Sequence, residues 1–450
     1  MPAVRSAIAA EKKHPPVRID IAYALVSLGS TTLWSILGGW LLYFYLPPDN
    51  AGEARVPAAL YGVVILSVRV INAVASPPIG YLSDRTRTPW GRRLPFMAAS
   101  ALPMLVFFAL IWMPPARGLS AWNLVYLAGL LLLYNLAYAF NQIPYTALLP
   151  EIAVTEHHRV RISGWTAGAF LMGMILGGLA GPLIDRFGYA TTAVAYAGFT
   201  LPLFYVPFLV LRESETRAKS TCAPLGFREG IQVMMRNRAF QIMTATGICY
   251  WGVTTMIQAI IPYLVTEICH LTTAETFDFY VPALVASLLC YPLITSLSHR
   301  VGKAKVFSAS LLASALVLPG LTIIGNWLPL PLKAQGLIWV TLQAVAMSGI
   351  TMLPPAFGAE ITDFDERLTG QRREGTYYAT WGFLDQVIQG VAAATLPLIL
   401  LLGRSRSDPQ GPLGVRAVGL LGGTLMLAGF LIFMKYPLRH QGAEGDIVEL

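Results

Sequence analysis

Long apolar runs without a charge dominate this chain. Met97–Met113, Trp122–Tyr138 and Val194–Val210 carry no charged residue, and Leu413–Met434 carries only Arg416. Such runs approach the about 20 residues that an α-helix needs to cross a bilayer core of about 30 Å. Inside hydrocarbon the backbone must satisfy its own hydrogen bonds, and a helix does this within one segment. Charged residues are 12% of the 450, where a soluble globular chain carries about 25%. That is too little charge to keep a chain of this size in water, so soluble-enzyme readings are excluded.

Apolar runs, read against Pro, Gly and charge clusters, predict spans near 21–46, 57–83, 94–113, 120–149, 162–184, 189–211 and 239–266. Five more are predicted near 279–297, 305–325, 335–359, 376–402 and 413–434. Basic residues accumulate in cytoplasmic loops, which tests the count. The two tails and every second loop hold 24 of the 32 Lys and Arg, the other loops hold 7, and Arg69 lies within a span. This asymmetry predicts twelve spans with both termini cytoplasmic, and it accounts for the net charge of +8 without nucleic-acid binding. Residues 1–20 are polar and the run after them is long enough to remain as a helix, so no cleavable signal peptide is read there. Cys222, Cys249, Cys269 and Cys290 have no metal-ligand spacing.

The longest basic connection, about 212–238, separates a six-helix half at 1–211 from another at 239–450. Two weak repeats relate the halves. Leu82-Ser83-Asp84-Arg85 followed by Gly91-Arg92-Arg93 recurs 215 residues later as Leu297-Ser298-His299-Arg300 followed by Gly302-Lys303. Pro144 with Glu151-Ile152 is matched by Pro354 with Glu360-Ile361, the acids lying 209 residues apart. Parallel six-helix halves with a substrate site between them near mid-bilayer mark major facilitator transporters. The fold class expected is therefore an all-α membrane protein, twelve transmembrane helices in two six-helix pseudo-repeats.

Three stretches carry a closer resemblance: Gly80 to Arg93, Ile143-Pro144-Tyr145-Thr146-Ala147-Leu148-Leu149-Pro150-Glu151, and Asp363-Phe364-Asp365-Glu366 through Arg372-Arg373-Glu374-Gly375. With Tyr377-Tyr378 and Trp381-Gly382-Phe383, they make the chain resemble the glycoside–pentoside–hexuronide cation symporters, of which melibiose permease is a member. The resemblance implies where a site would lie. The cation motif of sodium-coupled members, Asp-x-x-Asn-Asp-Pro, reads Asn72-Ala73-Val74-Ala75-Ser76-Pro77 here. Asn72 and Ser76 offer neutral oxygens only, which argues against sodium and leaves a proton as the candidate coupling ion. The family's sugar-gripping carboxylates fall on Thr31 and Gln142, its stacking Trp on Thr146, its Lys on Gln386 and, by a looser alignment, an Arg near Thr166.

Two charges remain deep in the spans, Arg69 and Asp385. A charge at the bilayer centre costs at least about 2.5–3.5 kcal/mol, so each is expected to face the bundle interior. In the major facilitator fold their helices face each other between the halves, and an interdomain Arg69–Asp385 pair is expected in at least one conformation. Asp385 is then either a proton carrier or one side of a permanent structural pair. Polar and aromatic residues share faces at helical spacing near the same depth: Tyr378, Trp381, Asp385 and Gln389; Asn135, Tyr138, Gln142 and Tyr145; Thr31, Trp34 and Ser35. Singly such groups more often bond neighbouring helices; together they suggest a cavity. At the cytoplasmic helix ends Asp84, Arg85, Arg92, Arg93, Glu151, Arg300, Glu360, Asp363 and Arg373 are expected to form a gate of ion pairs across the halves. The alternative is topology signals and surface pairs worth about 0–1 kcal/mol. Gly164, Gly168, Gly173, Gly177 and Gly181 read as a close-packing stripe, and His157, His158 and His299 as solvated loop residues.

The expected function is secondary transport of a small organic solute, a glycoside or related sugar, by alternating access with cation or proton coupling. A carrier for a lipid-like or amphipathic substrate, an uncoupled facilitator, and a non-transporting receptor on the same scaffold are the alternatives. No catalytic motif, metal cluster or cofactor site lies in a span, so no enzyme is expected. A monomer in a bacterial inner membrane is expected, with the small solute and the bilayer as its partners.

Overall fold

The computed structural model describes residues 16–48, 52–153, 155–211, 237–325, 328–369, 374–402 and 413–437. Most of the central connection, both chain ends and Arg373 therefore lie outside the described residues. The helices are α1 (Val17–Tyr45), α2 (Ala58–Arg85), α3 (Leu94–Ile111), α4 (Ala121–Ile152), α5 (Glu156–Gly178), α6 (Ala180–Leu211) and α7 (Arg238–Tyr263). After them come α8 (Thr276–Val301), α9 (Lys303–Val317), α10 (Leu332–Met352), α11 (Pro354–Thr369), α12 (Glu374–Leu400) and α13 (Leu413–Phe433). Among the described residues there is no β-strand, only an isolated bridge between Thr88 and Gly91.

Local chemistry sets the helix ends. Ser120, Thr155 and Asn237 each accept a hydrogen bond from a backbone N–H of the first turn that follows, satisfying donors a helix leaves free. Pro16, Pro57 and Pro331 sit just before α1, α2 and α10 in extended backbone. Gly188 (φ 77°, ψ 168°) breaks α6 near its start, so the turn predicted between 184 and 189 lies there, in a conformation that glycine adopts at least cost.

Eleven stretches among the described residues are long and apolar enough to cross a membrane, α10 and α11 together forming one of them. α5 is not among them: its start is charged, and its apolar part is diluted by Gly164, Gly168, Gly173, Gly177 and Gly178. It nevertheless packs along α1. A Cβ added at Gly173 would lie 2.9 Å from Thr31 Cβ, and one at Gly177 would lie 2.5 Å from Ser35 Cβ. Large apolar side chains face outward, with Leu119, Trp122, Leu209, Leu289 and Leu316 between 66% and 74% exposed, as lipid contact requires.

Helices α1–α6 pack chiefly on one another, and α7–α13 do the same. Contacts of α1 with α7, α2 with α12, and α5 and α6 with α8 join the two groups. The joining contacts concentrate toward one end of the bundle, where α1 finishes. There Tyr263 Oη donates to the Leu46 carbonyl at 2.6 Å, Tyr43 Oη donates to Thr266 Oγ1 at 3.2 Å, and Thr273 Oγ1 donates to Asp185 at 2.9 Å. Toward the other end Tyr81, Leu82, Thr146, Trp165 and Leu297 are exposed, and a Cβ at Gly164 or Gly168 would meet nothing within 4 Å. The glycine stripe thus serves packing on α1 in its second part and borders open space in its first.

Gly177→Val should separate α1 from α5. Overpacking of this kind costs about 1–3 kcal/mol, so the purified variant should melt below the parent, whereas Gly164→Val, facing open space, should leave the melting temperature unchanged.

Candidate solute cavity and the ion pairs around it

A cavity of about 260 Å³ lies between the two helix groups. Side chains from α1, α2, α4, α7 and α12 line it, so neither group completes it alone. Its apolar wall includes Leu37, Leu41, Ile65, Val68, Leu131 and Leu396, and its polar wall includes Arg69, Asn72, Asn135, Gln258, Gln386 and Gln389. Trp34, Tyr61, Tyr134 and Tyr138 add aromatic planes. A mostly apolar hollow with a few convergent polar groups is the usual form of a small-molecule site.

Close helix approach places these groups. A Cβ at Gly62 would come within 2.4 Å of the Ala394 carbonyl, and one at Gly390 would come within 2.9 Å of Arg69 Cβ. α2 and α12 therefore touch nearly backbone to backbone, with the Arg69 stem laid over Gly390. One turn further along α2, Asn72 Nδ2 donates to Gln386 Oε1 at 2.8 Å across the groups. Gln258 of α7 lies over Gly38 of α1, where a Cβ would be 2.7 Å from its amide. Asn135 Nδ2 donates back to the Leu131 carbonyl at 2.7 Å.

Of the residues singled out from sequence, Trp34, Arg69, Asn72, Asn135, Tyr138, Gln386 and Gln389 line this cavity. The others lie elsewhere. Thr31 is buried and faces Gly173 of α5. Gln142 donates to Asn141, and Thr146 is exposed and donates to the Ile143 carbonyl. Ser76 donates to the Asn72 carbonyl of its own helix. Trp381 borders Phe240 and Tyr377, and its indole nitrogen lacks a hydrogen-bond partner. Gln258, Thr255, Tyr61 and Tyr134 line the cavity without having been singled out. Gln258 and Thr255 share a face of α7 at i, i+3, a polar spacing inside an apolar run that could have marked them.

Arg69 and Asp385 do not pair here: no ion pair between them exists among the described residues. The register explains this. Arg69 lies against Gly390, more than a turn along α12 from Asp385, while Gln386 takes the position facing α2. Asp385 lies near enough to Tyr250 of α7, within its own helix group, to act on it electrostatically.

The expected gate is likewise rearranged. Arg92 and Arg93 both engage Glu151, and Arg93 also reaches Asp84 at 3.3 Å. Lys303 pairs with Glu360 at 2.7 Å, and Asp363 shares a surface hollow with both. Arg85 lies over the Tyr81 ring, and Arg300 is exposed. Among the described residues these pairs bind elements within each helix group, and the two sets of loops stand apart at this end. His158 is also not solvated. It is 4% exposed, and its Nε2 lies 2.7 Å from Oδ1 of Asp20, which is fully buried and also bonded by Arg161.

Sequence comparison places this architecture among known proteins. Residues 22–440 match the MFS/sugar transport protein family. The chain is 25% identical over 449 residues to the glucuronide carrier protein homolog of Escherichia coli K12, covering 96% of this chain and 95% of that one. It is 25% identical over 418 residues to the isoprimeverose transporter of Lactiplantibacillus pentosus, covering 89% and 84%. The nucleoside transporter NupG has the same fold, with a TM-score of 0.66 over 93% of this chain and 98% of that one at 13% identity.

Glu151 and Asp84 make opposite predictions. The Glu151 side chain is 7% exposed between two arginines and that of Asp84 is 60% exposed. Removing one partner of a buried pair costs about 3–5 kcal/mol, and a surface pair is worth about 0–1 kcal/mol. Glu151→Gln should lower the melting temperature clearly and Asp84→Asn hardly at all.

Proposed function

The chain belongs to the MFS/sugar transport protein family, and on that premise we propose that it carries a small sugar-like solute across a bacterial inner membrane by alternating access. It is a multi-pass transporter and not an enzyme. The observation that carries the reading is the cavity between α1, α2, α4, α7 and α12, which two helix groups share and which they close together at one end only. In this reading α5 is the twelfth span, so that α1–α6 and α7–α13 are six-span halves with both termini cytoplasmic. The basic loops then lie inside, the shut end faces outward, and the structure is the inward-open state.

The relatives' names support a sugar-class solute, being those of a glucuronide carrier homolog and an isoprimeverose transporter. Another relative, 24% identical, is named a putative glycoside/cation symporter of Escherichia coli K12, which supports cation coupling. Sodium finds little to bind on α2, where Ser76 donates to the backbone and Asn72 to Gln386. Among the described residues no cluster of three His, Cys, Asp or Glu side chains could hold a metal ion. Coupling in this reading therefore uses a proton at Asp385.

Counterflow in proteoliposomes tests this. A sugar-class solute should exchange without sodium, and Asp385→Asn should remove the pH dependence of net uptake. Exchange of no such solute would sink the reading, and sodium-dependent uptake indifferent to Asp385→Asn would sink the proton.

The closed outer end yields a second prediction. Gly62→Leu would drive a side chain into the Ala394 carbonyl and hold the outer end open. Thr146→Cys, in a chain whose native cysteines are replaced, should label from the cytoplasmic side, and adding Gly62→Leu should suppress that labelling and abolish net transport. Equal labelling in both backgrounds would contradict the assigned state.

A further inference from the structure

Arg69 reaches the cavity wall with its stem on Gly390, and among the described residues no carboxylate pairs with it. The ionisable groups acting on it are the phenols of Tyr138, Tyr134 and Tyr61. A cation held at membrane depth beside neutral phenols is costly, and an unmatched buried charge is among the more destabilising features a protein can carry. Among the described residues, two further polar atoms of the cavity residues are also unmatched. Asn72 is 6% exposed, and its Oδ1 has no hydrogen-bond partner after Nδ2 is used on Gln386. Gln258 Nε2, on the facing helix group, has no partner either.

We propose that the transported solute is a small hydroxylated organic anion whose acidic group docks on Arg69. This rests on the reading of the cavity as a solute site and narrows its substrate class. A guanidinium presents a planar fork of N–H donors that fits two oxygens of a carboxylate, sulfonate or phosphate. The Gln258 amide donates to a ligand oxygen, and Asn72 Oδ1 accepts from a ligand hydroxyl. Arg69 thus supplies charge recognition, while the two amides, one from each helix group, read the hydroxylated part. Because Asn72 also bonds Gln386, a solute on Asn72 and Gln258 touches both sides of the structure that must move.

The test is binding to the purified full-length protein at constant chloride, by calorimetry and thermal shift. Sodium glucuronate, 2,3-dihydroxypropane-1-sulfonate and glycerol 3-phosphate form the anionic arms, and glucose and methyl glucoside the neutral ones. At least one anion should bind roughly tenfold or more tightly than either neutral compound, since hydrogen bonds to charged groups are stronger than those between neutral ones. Arg69→Gln should lose that preference, and Arg69→Lys should keep part of it. If Arg69→Gln fails to fold, the wild-type preference and the Arg69→Lys protein still decide. Neutral sugars binding as tightly as the anions, or anion binding that survives Arg69→Gln, would overturn the anionic assignment while leaving the carrier reading intact. Stabilisation by chloride alone would also overturn it. Binding and counterflow of neither class would overturn both.

Discussion

The near backbone-to-backbone contact of α2 and α12 is the constraint on which the rest of the site depends. Gly62 against the Ala394 carbonyl and Gly390 against the Arg69 stem leave no room for a side chain between the helices. That closeness fixes their relative rotation and their register. With Gly390 under Arg69, the position opposite Asn72 must fall to Gln386, and it does, at 2.8 Å. Asp385, one residue earlier, is turned by about 100° toward α7. The same contact closes one end of the bundle, so a single packing choice sets the cavity's polar wall, its sealed end and the separation of Arg69 from Asp385.

Lipid offers little hydrophobic drive between helices, so close packing and interhelical hydrogen bonds must hold them together. The ionic contacts follow a complementary plan. Glu151 gathers Arg92 and Arg93, Asp20 gathers His158 and Arg161, and Lys303 takes Glu360. Each of these clusters joins elements within one helix group. The contacts between groups are of another kind: tyrosine hydroxyls on Leu46 and Thr266, one amide pair, and glycine surfaces. Ion pairs inside each group, the most buried of them in α1–α6, and uncharged short-range contacts between the groups describe two bodies that can rock while keeping these pairs.

The spans were legible because the bilayer imposes a length and forbids charge within it. Ten of the twelve predicted ranges coincide with single helices or with a helix and its continuation. The turn near Gly188 was legible too, since glycine punctuates the apolar run there. Helix rotation was harder to read. Thr31, Trp34 and Ser35 share a stretch of α1, yet Trp34 faces the cavity while Thr31 and Ser35 face the α5 glycines. A periodic stripe says which residues share a face and not which neighbour that face meets. The family resemblance carried Thr31, Gln142 and Thr146 as site positions, but these helices place their small or amide side chains on other helices or at the surface. His158 was misread for a different reason: its partner Asp20 is 138 residues away, and no local pattern connects them.

The loss of carboxylates from α2 changes the electrostatics of the whole cavity. In a site built on paired acids, an arginine on the same helix is neutralised by its neighbours and contributes little beyond structure. Here Asn72 and Ser76 stand where such acids would, with Asn72 Nδ2 donating to Gln386 and the Ser76 hydroxyl to the helix backbone. The arginine keeps its place because its stem is part of the α2–α12 contact, and its charge then becomes the dominant field in the cavity. The packing that positions this cation, the Arg69 stem on Gly390, does not depend on any acid of that helix face.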